Sequence, residues 1–165
     1  MTSGRHSGQY LEKFNLLQWP VYTELVCRKM AEHGRPFAPT TIAGPTTGGV
    51  LLAYEVARQL GVRGIFCESD AAGGRSFQRG FTLQPGERVM IVDDIVTTGG
   101  SLVDTIEAVR KAGGTPVCVS VIADRTGGKV QFGDVPFLPA TEVVMESYAP
   151  EDCPLCRQGV PLKVT

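Results

Sequence analysis

The sequence predicts an α/β fold, a central and mostly parallel sheet flanked by helices, on three observations. Strand signals are followed by helix signals three times along the middle of the chain, which is how a sheet with crossover helices is written. Each unit is punctuated by glycine where one element must end and the next begin. At 165 residues and 42% hydrophobic, the chain can bury one good core and no more, so a single domain spanning residues 1–165 is expected.

In chain order, YTELVCRKMAEH within residues 9–33 is an amphipathic helix. Thr40 to Ala43 is a short β-prone run broken by Gly44 and Pro45, and VLLAYEVARQL is the helix after it, closed by Gly61. VRGIFCE (62–68) is a second strand. SDAAGGRSFQRGFTLQPGE then predicts a flexible loop leading into a hairpin arm, with Phe77, Arg79 and Phe81 alternating and the Pro85-Gly86 turn closing it. RVMIVDD (88–94) is a third strand, followed by a turn, a helix from Ser101 to Ala112 and a buried strand, TPVCVSVIAD (115–124). The proline-rich tail carries one strand, TEVVMES. The ends, about 1–35 and 139–165, are expected to form a small hood on a core of about 36–138.

Sixteen basic against seventeen acidic residues leave a net charge of −1, so no general basic field exists for nucleic acid and any anionic ligand must be gripped locally. No apolar stretch reaches the length of a membrane span and MTSGRHSGQY has no signal-peptide core, so a cytoplasmic protein without membrane partners is expected. Cys27, Cys67 and Cys118 stand singly in apolar runs, as reduced core residues do. Cys153 and Cys156 form one CPLC pair, but His6 and His33 are far away in sequence, so a surface turn or hairpin is expected there rather than zinc.

The chemistry is concentrated in VMIVDDIVTTGGS (89–101). A turn that opens a helix presents backbone N–H groups without helical partners, and Thr97, Thr98, Gly99, Gly100 and Ser101 make such a turn small enough to wrap a phosphate. Asp93 and Asp94 would repel that phosphate. At the carboxyl end of a strand they can accept hydrogen bonds from hydroxyls instead. A phosphorylated ribose satisfies both halves; a strand end with solvated acids and a capped helix is the plainer alternative.

This stretch resembles the 5-phosphoribosyl 1-diphosphate (PRPP) motif of the type I phosphoribosyltransferases. TSGRHS, GPTTGGVLLAYEVARQLG, RGF, PGERVMIVDDIVTTGGS, the DR of IADRTGG and CPLCRQGVPL extend the likeness over nearly the whole chain, toward the bacterial orotate phosphoribosyltransferases. The resemblance implies the type I fold, Mg²⁺ held mainly through PRPP, a homodimer whose loops reach the neighbouring site, and transfer of phosphoribose from PRPP to orotate in pyrimidine synthesis. It implies that Asp93, Asp94, Ile95, Val96 and Thr97 to Ser101 bind PRPP, with the acids on the ribose hydroxyls and the turn on the 5-phosphate. Thr47 and Gly48 would hold pyrophosphate, Thr97 would border orotate, and Arg125 would pair with its carboxylate.

The chain also departs from that pattern. Family loops bring lysines and a histidine to the pyrophosphate, yet residues 67–81 contain neither; Arg79 is the first candidate for the catalytic cation and Arg75 the second. Gly48 and Thr2 stand where some members carry lysine, and the helix and strand that precede SGR in the family are not present before Ser3. A purine-base phosphoribosyltransferase and a noncatalytic PRPP-binding regulator are the competing readings.

Overall fold

Six strands among the described residues form one sheet: β1 (Thr41–Pro45), β2 (Arg63–Ser69), β3 (Arg75–Phe77), β4 (Arg88–Val96), β5 (Thr115–Asp124) and β6 (Phe137–Glu142). The structure is a computed structural model that describes residues 6–146 and 148–162. The sheet order is β3-β2-β1-β4-β5-β6, and every pairing is parallel except β2 with β3. From β1 the chain adds β2 on one side, then returns to place β4 on the other. The order of strands therefore reverses between β1 and β4, and open α/β sheets bind ligands beyond the carboxyl ends of the strands at such a switch point.

The helices cover both faces because the strands alternate. Met90 and Val92 of β4 lie in one core cluster with Leu17 of α1 (Phe14–Leu17), Cys27 and Met30 of α2 (Pro20–Gly34) and Leu52 and Val56 of α3 (Gly48–Leu60). Val89 and Ile91 lie in a second cluster with Leu102, Ile106 and Val109 of α4 (Gly100–Lys111). Successive strand residues serve opposite faces, so a strand covered on both sides is apolar throughout. The approach is close: a Cβ on Gly34, the last residue of α2, would sit 2.4 Å from the sulfur of Met90. Cys27, Cys67 and Cys118 are fully buried free thiols, as expected.

Two predicted features are corrected. Pro85-Gly86 closes no hairpin; it makes a turn, Glu87 N–H donating to the Gln84 carbonyl (3.0 Å), at the entry to β4. The hairpin lies earlier, where β3 pairs with β2 and Asp70 organises the turn by accepting from the N–H groups of Ala72 (2.9 Å) and Gly74 (3.0 Å). The tail strand is β6, which begins at Phe137 and shares only Thr141 and Glu142 with TEVVMES. Pro139 pairs opposite Val121 in it, and proline, lacking an N–H, is tolerated there because β6 is an edge strand.

Two compact units are distinguished, Lys13–Val143, and the chain ends Met1–Glu12 with Val144–Thr165. The first contains the whole sheet, α2 and β6, so most of the segment expected in the hood before residue 36 packs on the sheet instead. In the second, His6 and Tyr148 exchange backbone hydrogen bonds and Ser7 Oγ donates to the Glu146 carbonyl (2.7 Å). Thr2 to Arg5 of the TSGRHS match, and Ser147 at the end of TEVVMES, lie outside the described residues.

Candidate active site

At the switch point β1 and β4 each run into the N-terminus of a long helix. β1 ends at Pro45 and α3 begins at Gly48; β4 ends at Val96 and α4 begins at Gly100. Two partly positive helix ends, each with unsatisfied N–H groups, thus open at neighbouring strand ends. The first turn is compact because glycine permits it: a Cβ on Gly44 would meet the Gly49 carbonyl oxygen at 2.1 Å, and one on Gly48 would meet Asp94 Oδ2 at 2.0 Å. Thr46 N–H donates to the Cys67 carbonyl (3.0 Å), tying this turn to β2, and the Thr46–Thr47 peptide is cis.

The second turn has Gly99 at φ 85°, left-handed backbone that suits glycine, and its carbonyl accepts from Leu102 and Val103 N–H at 3.0 Å each. Residues 95–102 and Asp93 line a concavity of about 60 Å³, room for a small group. Thr97, Thr98 and Gly100 are exposed at its rim, and Ser101 is half-buried.

Between the two turns stand the acids. Asp93 and Asp94 are 9% and 5% exposed. Asp93 Oδ1 accepts the N–H of Asp94 (2.8 Å), and Asp94 Oδ1 accepts the N–H of Ile95 (2.6 Å). Strand alternation directs Asp94 to the α3 side against Gly48, and Asp93 to the α4 side. Burial, with the neighbouring Asp94 charge second, pushes the Asp93 carboxyl up to about 7; the Asp94 N–H and the charges of Lys13 and Arg75 oppose that rise.

The phosphoribosyl transferase domain family matches residues 15–132. An orotate phosphoribosyltransferase of Pelotomaculum thermopropionicum is 48% identical over 162 residues, 98% of this chain and 84% of that protein. The chain belongs to the orotate phosphoribosyltransferase family. A second member, from Caldanaerobacter subterraneus, is 44% identical over the same shares of the two chains. Among solved structures, the orotate phosphoribosyltransferase of Aeropyrum pernix aligns with a TM-score of 0.71 at 25% identity, covering 87% of this chain and 84% of that one. An adenine phosphoribosyltransferase of Thermoanaerobacter pseudethanolicus, with a TM-score of 0.69 at 17% identity over 86% of this chain and 97% of that one, shares the fold.

The structure also shows where the cations stand relative to these acids. Arg79, the first candidate, is paired with an acid: its Nη2 and Nε donate to the two Glu68 oxygens at 2.8 and 2.9 Å. Arg75, the second, lies on β3, where its Nη1 is 3.5 Å from Thr46 Oγ1, and it acts on Asp93 electrostatically. Sequence reasoning missed Lys13, whose Nζ lies 2.8 Å from Asp94 Oδ2. Two adjacent buried acids demand a nearby cation. Nothing in the local pattern says that it comes from 81 residues upstream.

Arg125 follows β5 directly and donates its backbone N–H to the Val96 carbonyl (3.0 Å), which stands it beside the start of the turn from Thr97 to Ser101. Asp124, its neighbour, is spent on the turn after it, accepting from Thr126 and Gly128 N–H at 2.7 and 3.1 Å.

Proposed function

We propose that the protein transfers the 5-phosphoribosyl group of PRPP to orotate, releasing pyrophosphate and giving orotidine 5′-phosphate for pyrimidine synthesis. One observation carries the reading: two helix N-termini, with a pair of buried acids between them, at a single switch point. PRPP has the matching charge pattern, a phosphate at one end, a diphosphate at the other and hydroxyls between. The turn from Thr97 to Ser101 takes the 5-phosphate, with Ile95 and Val96 supplying its floor, and Asp93 and Asp94 accept from the ribose hydroxyls. Backbone donors at Thr47 and Gly48 take the diphosphate.

Arg125 pairs with the orotate carboxylate, for which a planar guanidinium is suited, and Thr97 borders the ring. Orotate's ring nitrogen attacks the anomeric carbon as the bond to pyrophosphate breaks, so positive charge develops on the ribose and negative charge on the leaving group. The protein's part is to align the two and to stabilise the departing charge, with Arg75 and Lys13 as the cations nearest the acids. Asp93 and Asp94 already accept backbone N–H groups, and Lys13 meets Asp94, so they suit hydroxyl contact better than a cage of direct metal ligands. A Mg²⁺ would accordingly ride on PRPP's own oxygens, near these acids, and supply charge neutralisation on the pyrophosphate. The reading includes one phosphoribosyltransferase domain, a homodimer and a cytoplasmic location; no helix among the described residues is long and apolar enough to cross a membrane.

The test is pyrophosphate release from PRPP and Mg²⁺ with orotate, uracil, adenine or hypoxanthine supplied separately. Release with orotate alone is expected. Arg125→Ala should lower kcat/KM for orotate on the order of 100-fold, as losing a bidentate charged pair would. Arg75→Ala should lower kcat about 100-fold if it stabilises the leaving charge. Release only with a purine would overturn the assignment, and PRPP binding without release under every base would favour the regulator.

A further inference from the structure

The chain ends hold a cluster of side chains that the phosphoribosyl site does not use. His6 pairs with Tyr148 in an antiparallel bridge, its N–H donating to the Tyr148 carbonyl (3.0 Å) and its own carbonyl accepting in return (2.8 Å). That bridge brings residue 6 to the CPLC segment. His6 Nδ1 lies 3.3 Å from Cys156 Sγ, across 150 positions of sequence. The ligand atoms of His6, Cys153 and Cys156 all fall within 4.8 Å of one another.

The two cysteines differ in exposure: Cys153 is 2% exposed, whereas Cys156 lies at the surface. The short helix α5 (Pro154–Arg157) and the turn after it, with Gly159 at φ 75° and Val160 N–H donating to the Leu155 carbonyl (3.0 Å), hold the two cysteines on one side of a tight knuckle. Cys27 of α2, Cys67 of β2 and Cys118 of β5 are buried elsewhere and are not part of this cluster.

We propose that His6, Cys153 and Cys156 form a site for a divalent cation of the zinc class, three protein ligands with a fourth position left to water. Two thiolates and an imidazole are the donor set that selects zinc over the hard cations magnesium and calcium. Donors around a tetrahedral zinc stand roughly 3.4–3.8 Å apart, so ion entry asks for a movement of about 1 Å. The sequence argued against zinc because CPLC lacked further ligands nearby. The fold supplies one from the opposite end of the chain. Bound metal would clip the N-terminal segment to the C-terminal one and so stabilise the unit that they form together.

The experiment uses the untagged full chain, kept reduced and stripped of metal, titrated with Co²⁺ and then displaced by Zn²⁺. One equivalent per chain is expected, with an intense thiolate-to-cobalt charge-transfer band and the visible bands of four-coordinate cobalt. The double variant Cys153→Ser/Cys156→Ser should lose both, and a chelator should lower the melting temperature of the zinc-loaded chain but not that of the double variant. His6→Cys, which adds a third sulfur, should keep one equivalent and strengthen the charge-transfer band; it decides the matter should the double variant fold poorly. Absence of stoichiometric binding, a six-coordinate spectrum without the thiolate band, undiminished binding by a folded double variant, or an unchanged band in His6→Cys would each overturn the site.

Discussion

A carboxylate buried beside a second carboxylate costs free energy whenever it is ionised, and Asp93 meets that cost in the folded state alone. Its folded value is about 7 against an ordinary 3.8, so between those pH values the folded chain binds more protons than the unfolded chain. The Asp93 contribution to stability therefore declines as pH rises from about 4 to about 7, and the penalty is complete above that window. Asp93→Asn should remove it, while the amide oxygen can still accept the Asp94 N–H. The variant is expected to unfold at a higher temperature than the wild type at pH 8, by the equivalent of about 2–4 kcal/mol, with the gap closing toward pH 4. Parallel melting curves at all pH values would show that burial does not perturb this acid. The variant should also bind PRPP more weakly, because a site that destabilises its own empty form is one shaped for a ligand.

Among the elements, the turn between β1 and α3 is the one with no room for change. A methyl on Gly44 would press on the backbone oxygen of Gly49, and no side-chain rotation relieves a contact between two main chains. Overpacking of this kind costs about 1–3 kcal/mol. Gly44→Ala should thus lose about 2 kcal/mol or more in urea unfolding, whereas Gly74→Ala in the β2–β3 turn, with nothing nearer than 3.6 Å, should stay within about 0.5 kcal/mol. Equal effects at the two positions would refute the close approach.

The same turn shows why sequence reading succeeded where it did. β1, α3, β4 and α4 are announced by apolar periodicity and by glycines at the joints, which are local signals. The β2–β3 hairpin was shifted because Asp70, and not the more familiar Pro-Gly pair, organises the turn, and β6 because an edge strand is recruited by its neighbour with little signal of its own. The pairing of Arg79 with Glu68, and of Lys13 with Asp94, depends on which residues the sheet brings together. The position of the acids at a strand end was legible; their counter-ions were not.

For the molecule as a whole, the unmet demand is apolar surface. Val21, Tyr22 and Leu25 on α2, and Leu51 and Tyr54 on α3, are 46–71% exposed, and Trp19 at the start of α2 is 57% exposed. Glu24 and Arg58 link the two helices, so these side chains belong to neighbouring elements of one face of the sheet. Single apolar residues on a surface need no explanation, but six large ones on two adjoining helices are more than a monomer gains by showing to water. A second copy of the chain is the partner that a cyclic dimer would place there, using the same patch from both sides. Sedimentation at micromolar concentration should then give twice the 17.7 kDa of one chain. Tyr22→Glu combined with Tyr54→Glu should shift the species toward monomer without loss of secondary structure, because both rings already face solvent in the single chain. A wild type that sediments as a monomer, or a double variant that remains dimeric, would move the interface elsewhere or remove it.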